Sequence, residues 1–141
     1  MAAVADNDND HPPRSIVCVV DPDQALTQRL AESLAALGAR VRTYATGAAM
    51  LADAGPGQAC VIAEARLPDM TGMELIAALR ARGLRTPVIL QAAEADVATA
   101  VAGMRAGALD FIEKPQGERL LAWHVRRLLD SHESTRGTTR T

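Results

Sequence analysis

The stretch Cys60-Val61-Ile62-Ala63-Glu64-Ala65-Arg66-Leu67-Pro68-Asp69-Met70-Thr71-Gly72-Met73-Glu74 decides the fold. An unbroken apolar run ends on an acid, as in a strand covered on both faces. A short loop follows. Thr71 and Glu74 then form a capping box, which starts a helix. Leu75, Ile76 and Leu79 supply the inner face of that helix, and Gly83 ends it. Strand, loop and helix in this order form the unit from which the rest of the chain is read.

The same unit recurs on either side. Ile16 to Val20 is a second apolar run. Asp21 reads as the N-cap of the next helix, Pro22 as its first residue and Gln24 as the partner that completes a capping box. Leu26, Leu30, Leu34 and Leu37 follow at helical spacing up to Gly38. Arg40 to Tyr44 is a short strand, and Thr46 caps a helix that ends before Gly55-Pro56-Gly57. Pro87 to Gln91 is a fourth strand. A helix from about Ala95 to Arg105 carries Val97, Val101 and Met104. Leu109 to Ile112 is the fifth strand. A last helix, about Gly117 to Ser131, carries Leu121, Val125 and Leu128. Residues 1–14 read as a disordered arm, 15–131 as one domain, and 132–141 as a flexible tail or the start of a linker.

Five strands alternating with five helices imply a three-layer α/β sandwich around a parallel sheet. The strand order 2-1-3-4-5 is the flavodoxin-like choice. It gathers functional groups at the carboxyl ends of the strands. Asp21, Glu64, Gln91, Ala92 and Lys114 all fall there.

Composition narrows the function. The chain has 141 residues, a net charge of -2 and 48% hydrophobic residues, of which few are aromatic. Such a charge argues against nucleic-acid binding by this domain. Cys18 and Cys60 sit in apolar runs and are expected to be buried free thiols. No stretch approaches the roughly 20 apolar residues of a membrane span, and no signal peptide is evident. A soluble cytoplasmic protein is expected.

Three strings together carry a resemblance over about Ser15 to Asp130: Val19-Val20-Asp21, Leu67-Pro68-Asp69-Met70-Thr71-Gly72, and Gly107-Ala108-Leu109-Asp110-Phe111-Ile112-Glu113-Lys114-Pro115. The chain resembles response-regulator receiver domains, most closely those of nitrogen-fixation-type transcriptional regulators. That resemblance implies a CheY-like fold and a role in two-component phosphorelay signalling. It also implies five active-site groups: two acids after strand one that hold Mg²⁺, a phospho-accepting Asp after strand three, a hydroxyl after strand four and a Lys after strand five. Phosphoryl transfer depends on positioning and on neutralising the transferred oxygens.

The match is partial. Asp21 and Lys114 are present, but the second acid is Pro22, the acceptor is Glu64 and the hydroxyl position is Ala92. Shifting strand four by one residue would put Gln91 there instead. Asp21, Glu64 and the Arg66 carbonyl are the only candidates for a weak Mg²⁺ site, and functional Mg²⁺ binding is not expected. No other cofactor is implied. Glu64 has one methylene more than Asp, which displaces its carboxylate by about 1.5 Å. Where catalysis is positional, a shift of about 1 Å costs roughly 100-fold. Glu64 can be read as an exposed loop acid, as a poor acceptor, or as a permanent mimic that reaches Lys114. Phe111 occupies the family's switch-aromatic position and equally suits core packing. Asp69 lies out in the loop.

The leading expectation is an atypical, non-enzymatic receiver that acts by protein–protein interaction without phosphorylation. Its partner would be a sensor kinase, an output domain or another regulator. A homodimer is a further possibility, through the face of helix four, strand five and helix five. That face would include Arg105, Asp110, Glu118, Arg119, Trp123, Arg126 and Arg127. Trp123 beside arginines is either a hot-spot candidate or a cap on the core edge. The alternatives are a phosphorylatable receiver of a transcriptional regulator whose DNA-binding domain is absent from this chain, and small-molecule binding above the sheet. The second is disfavoured, because no phosphate-cradling glycine loop follows strand one.

Overall fold

The computed structural model describes residues 15–94, 96–114 and 117–140. Its elements are β1 (Ile16–Val20), α1 (Gln24–Ala35), β2 (Arg40–Tyr44), α2 (Gly47–Ala52), β3 (Gln58–Glu64), α3 (Gly72–Ala81), β4 (Val88–Ala92), α4 (Val97–Ala106), β5 (Asp110–Glu113) and α5 (Glu118–Arg140). The sheet order is β2-β1-β3-β4-β5, and every pairing is parallel. This is the expected flavodoxin-like arrangement.

Side-chain alternation along each strand builds two cores. Val17, Val19, Cys60, Ile62, Ile89 and Ile112 face one side, where α1 and α5 cover them with Leu26, Leu30, Leu34, Leu121, Val125 and Leu129. Cys18, Val20, Val61, Ala63, Val88 and Leu90 face the other, against Met50, Leu75, Ile76 and Leu79. Cys18 and Cys60 are both buried and free, on opposite faces of the sheet. Burial pushes the Cys18 thiol up to about 12.

Helix ends follow from local chemistry. Thr46 and Thr71 cap α2 and α3, and the Thr71–Glu74 box is complete. Gly38 and Gly83 take φ of 94° and 79°, which closes α1 and α3 in a conformation that glycine adopts at no steric cost.

Several boundaries differ from the sequence reading. Asp21 is not the cap of α1; Asp23 is, accepting from Leu26 N–H at 3.1 Å. Asp21 Oδ1 instead accepts from Asp23 N–H at 2.9 Å. This turn delays the helix, so Pro22 precedes it and does not open it. The β4–β5 register pairs Gln91 with Ile112 and Ala92 with Glu113, which carries both strands one residue further than expected. On α5, Leu129 is buried and Leu128 only partly so. The helix continues past Ser131 to Arg140 through the residues expected to form a tail. His132 Nδ1 meets Ser15 Oγ at 2.7 Å, which fastens this extension to the start of β1. The expected arm, residues 1–14, lies outside the described residues.

Helix α3 meets the sheet closely at Gly72. A Cβ there would lie 2.5 Å from Leu90 Cδ2, 3.2 Å from the Glu64 carbonyl oxygen and 3.3 Å from Ala65 Cα. Gly72→Ala is expected to cost about 1–3 kcal/mol by overpacking, read as a lower denaturation midpoint at unchanged m-value. Ala81→Gly at the exposed end of the same helix serves as the propensity control.

Candidate functional site

The carboxyl ends of β1, β3 and β5 bring Asp21, Glu64 and Lys114 together. Lys114 Nζ lies 2.6 Å from Asp21 Oδ2 and 2.5 Å from Glu64 Oε1. The side chains are 13% exposed for Lys114, 4% for Asp21 and 15% for Glu64, so the bridge is largely shielded from water. Each carboxylate has a second anchor. Asp21 Oδ1 takes the Asp23 N–H, and Glu64 Oε2 takes the Arg66 N–H at 3.2 Å. Burial alone would lower the Lys114 pKa. Hydrogen bonds and charge from Asp21 and Glu64 outweigh it and hold the ammonium above its ordinary 10.5.

Lys114 reaches these acids across the end of β4. That strand ends on Ala92, which contributes only a methyl group. The Lys114 N–H donates to the Ala92 carbonyl at 2.9 Å, which sets the start of the reach. Gln91 sits one residue back, buried, and its carbonyl accepts from Ala65 N–H at 2.8 Å. The register therefore keeps Ala92, not Gln91, at the strand terminus. Pro22 is exposed and offers no side-chain oxygen. The two carboxylates that a divalent cation would need already share an ammonium. No cluster of three His, Cys, Asp or Glu side chains suited to a metal occurs among the described residues.

Phe111 is half-buried against the α3-side core. Gly103 of α4 sits over it, so close that a Cβ would lie 3.0 Å from Phe111 Cδ2 and 2.9 Å from Leu90 Cδ1. Pro115, which follows Lys114, lies outside the described residues.

Two side chains have roles that the sequence reading missed. Asp69 is not idle in its loop: its carboxylate accepts from Gly47 N–H at 3.0 Å and Ala48 N–H at 2.9 Å. The Ala48 and Gly47 bonds hold it below the usual carboxylate range. His124 Nε2 meets Asp110 Oδ2 at 2.7 Å, which joins α5 to β5. The second pairing is visible only once helix and strand are adjacent. The first is hinted at by an Asp ahead of a helix, but not by which helix.

On the expected contact face, Trp123 is 54% exposed. Arg127 Cζ stacks 4.9 Å from its ring centroid, and His124 meets it edge-on at 5.1 Å. Arg105, Glu118, Arg119 and Arg126 are exposed as well.

Residues 17–126 match the family model described as the response regulator receiver domain, and the chain belongs to that family. It is 38% identical over 112 residues to the transcriptional regulatory protein FixJ of Azorhizobium caulinodans, covering 78% of this chain and 53% of that one. It is 42% identical over 104 residues to the C4-dicarboxylate transport transcriptional regulatory protein DctR of Rhodobacter capsulatus, covering 70% and 52%. The chain thus spans about half the length of these curated relatives. Among solved structures, a receiver protein from Pseudoalteromonas atlantica superimposes with a TM-score of 0.76 at 32% identity, covering 82% of this chain and 98% of that one. The BeF3-activated DrrB receiver domain gives 0.75 at 31%, covering 83% and 98%.

Removing the ammonium would leave two acids facing each other in a shielded site. Lys114→Met is expected to cost about 3 kcal/mol at neutral pH, the low end for breaking a buried pair. A pKa raised by folding stabilises fully below the unfolded value and is lost as pH climbs through the folded one. The stability gap between wild type and Lys114→Met should therefore hold at neutral pH and close above pH 10.5. Urea titrations at a series of pH values measure it.

Proposed function

We propose that this chain is a receiver domain that signals by protein contact and has left the phosphoryl cycle of its family. The observation that carries this reading is the Lys114 bridge. In the family pattern that lysine binds phosphoryl oxygens; here its charge is shared between Asp21 and Glu64. Three departures support the same reading. Pro22 removes a metal-ligating acid, Glu64 replaces the nucleophile with a displaced carboxylate, and Ala92 removes the hydroxyl. On this reading Mg²⁺ has no working role. The ammonium stands between the carboxylates that would bind the ion, and Mg²⁺ wants near-octahedral oxygen ligands.

Glu64 reaching Lys114, together with Phe111 packed inward, favours a locked, active-like state over an inert one. The output would be a surface, not a reaction. Its contact face comprises α4, β5 and α5, with Arg105, Trp123, Arg126 and Arg127 exposed on it. A sensor kinase, an output domain or another cytoplasmic regulator of two-component signalling is the partner class. The transcriptional-regulator relatives suggest that this signalling ends in control of transcription.

Intact-mass measurement after incubation with acetyl phosphate and Mg²⁺ tests the reading. No phosphoryl adduct is expected on the native chain, nor on Glu64→Asp alone. The combined variant Pro22→Asp, Glu64→Asp, Ala92→Thr restores all three groups and should take up one phosphoryl group. A stoichiometric adduct on the native chain that disappears in Glu64→Ala would sink the proposal.

A further inference from the structure

The carboxyl edge of the sheet is taken up by the Lys114 bridge. Room lies at the opposite edge. A cavity of about 540 Å³ opens at the amino ends of β3 and β4, beneath α5. Small-molecule sites typically enclose about 300–1,000 Å³. The walls are apolar, made by Pro56, Ala59, Leu84, Pro87 and Leu128. Among the described residues that line the cavity, none is acidic.

Three polar groups stand in this apolar space. Arg85 lines it from the loop before β4. A different arginine fastens that loop: Arg80 Nη1 donates to the Leu84 carbonyl at 3.1 Å and to the Thr86 carbonyl at 3.0 Å. The Arg85 guanidinium itself has no hydrogen bond or ion pair among the described residues. Thr86 is 7% exposed, and its hydroxyl has no partner among the described residues. No fully enclosed side-chain oxygen lacks a partner there. The hydroxyl therefore keeps an opening, and Thr86 lines the cavity. His132 commits Nδ1 to Ser15 Oγ at 2.7 Å, and its other ring nitrogen is unengaged among the described residues. Gln58 is on the wall but is not a fourth group. Its Nε2 donates to the Asp53 carbonyl at 3.0 Å, and its Oε1 accepts from Gly55 N–H at 3.4 Å.

These features specify a ligand chemistry. Apolar walls suit a hydrocarbon body. A guanidinium fork with no acid beside it suits a planar anion, and a carboxylate meets it with two parallel N–H···O bonds. A hydroxyl and an imidazole nitrogen add a donor or an acceptor on the same wall. We propose that this cavity binds a small organic acid with one carboxylate and an apolar body. The cavity spans the base of the sheet and α5, through Leu128, Ser131 and His132. An occupied cavity therefore ties α5, part of the contact face, to the sheet at the end far from Lys114. The proposal does not rest on the loss of phosphoryl transfer, because the two sites lie at opposite ends of the strands.

Naphthylacetate serves as the probe, and naphthylacetamide as its uncharged counterpart. Heteronuclear NMR of the full chain follows the backbone amides as each is added. Naphthylacetate should bind saturably, reaching completion by about 5 mM. It should move the amides of Leu84, Arg85, Thr86, Ser131 and His132. Helix α4 is the competing apolar surface, since Val97 is 79% exposed, Val101 42% and Met104 47%. Shifts centred there or around Trp123 overturn the proposal, as does the absence of binding. Arg85→Gln should weaken naphthylacetate about fivefold and leave naphthylacetamide unchanged. Equal loss of both, or loss of neither, rules out the anion site. Ser131→Trp, at an exposed lining position, fills the cavity and should abolish binding of both, with circular dichroism confirming the fold. Undiminished binding to that variant places the probe elsewhere and overturns the assignment. Amide shifts at these positions that follow protein concentration instead of the probe assign the cavity to a second copy and overturn it too. None of these readouts involves phosphoryl uptake, so the failure of this site and of the functional reading are distinguishable.

Discussion

One ammonium group holds the functional edge of this sheet together. Lys114 Nζ bridges Asp21 after β1 and Glu64 at the end of β3, passing the end of β4 on the way. An ion pair of this kind gains little over a well-packed apolar substitute, but it is costly to break one partner at a time. Its effect is therefore on geometry more than on net stability. It fixes which carboxylate oxygen points inward, leaving Asp21 Oδ1 for the Asp23 N–H and Glu64 Oε2 for the Arg66 N–H. The delayed start of α1 and the entry into the β3–α3 loop both depend on those two bonds.

Beneath that edge the fold stands on aliphatic packing. Two cores of Leu, Val, Ile and Ala flank the sheet, and aromatic residues take little part. Small residues set how closely the layers approach. Gly72 lets α3 lie against Leu90, and Gly103 lets α4 lie over Leu90 and Phe111. Close approach through glycine brings α4 near but buries little of it. The helix is thus well placed and weakly held, with its aliphatic face still open.

Much of this was legible from residues alone. Continuous apolar runs identified the strands because a parallel sheet is buried on both faces. Capping residues identified the starts of α2 and α3, since Thr46 and Thr71 satisfy backbone donors within their own segment. Asp21 was misread for the converse reason: its strongest partner, Lys114, is 93 residues away. Its local bond to Asp23 N–H displaced the cap by two positions. The α4 aliphatics were also beyond sequence reading. A stripe at helical spacing looks the same whether it faces a core or water, and only the position of Gly103 beneath the helix distinguishes them. The extension of α5 is similar, because the Ser15–His132 bond joins opposite ends of the domain.

The placement of the two cysteines has a practical consequence. Cys60 lies under the layer formed by α1 and α5, and Cys18 under the layer that contains α3. No disulfide can join them through the sheet, so each thiol keeps its own record of solvent access. Alkylation rates at the two sites would report separately on the detachment of each helical layer. The protein thus carries a natural pair of clocks for asking whether its two sides open together or one at a time.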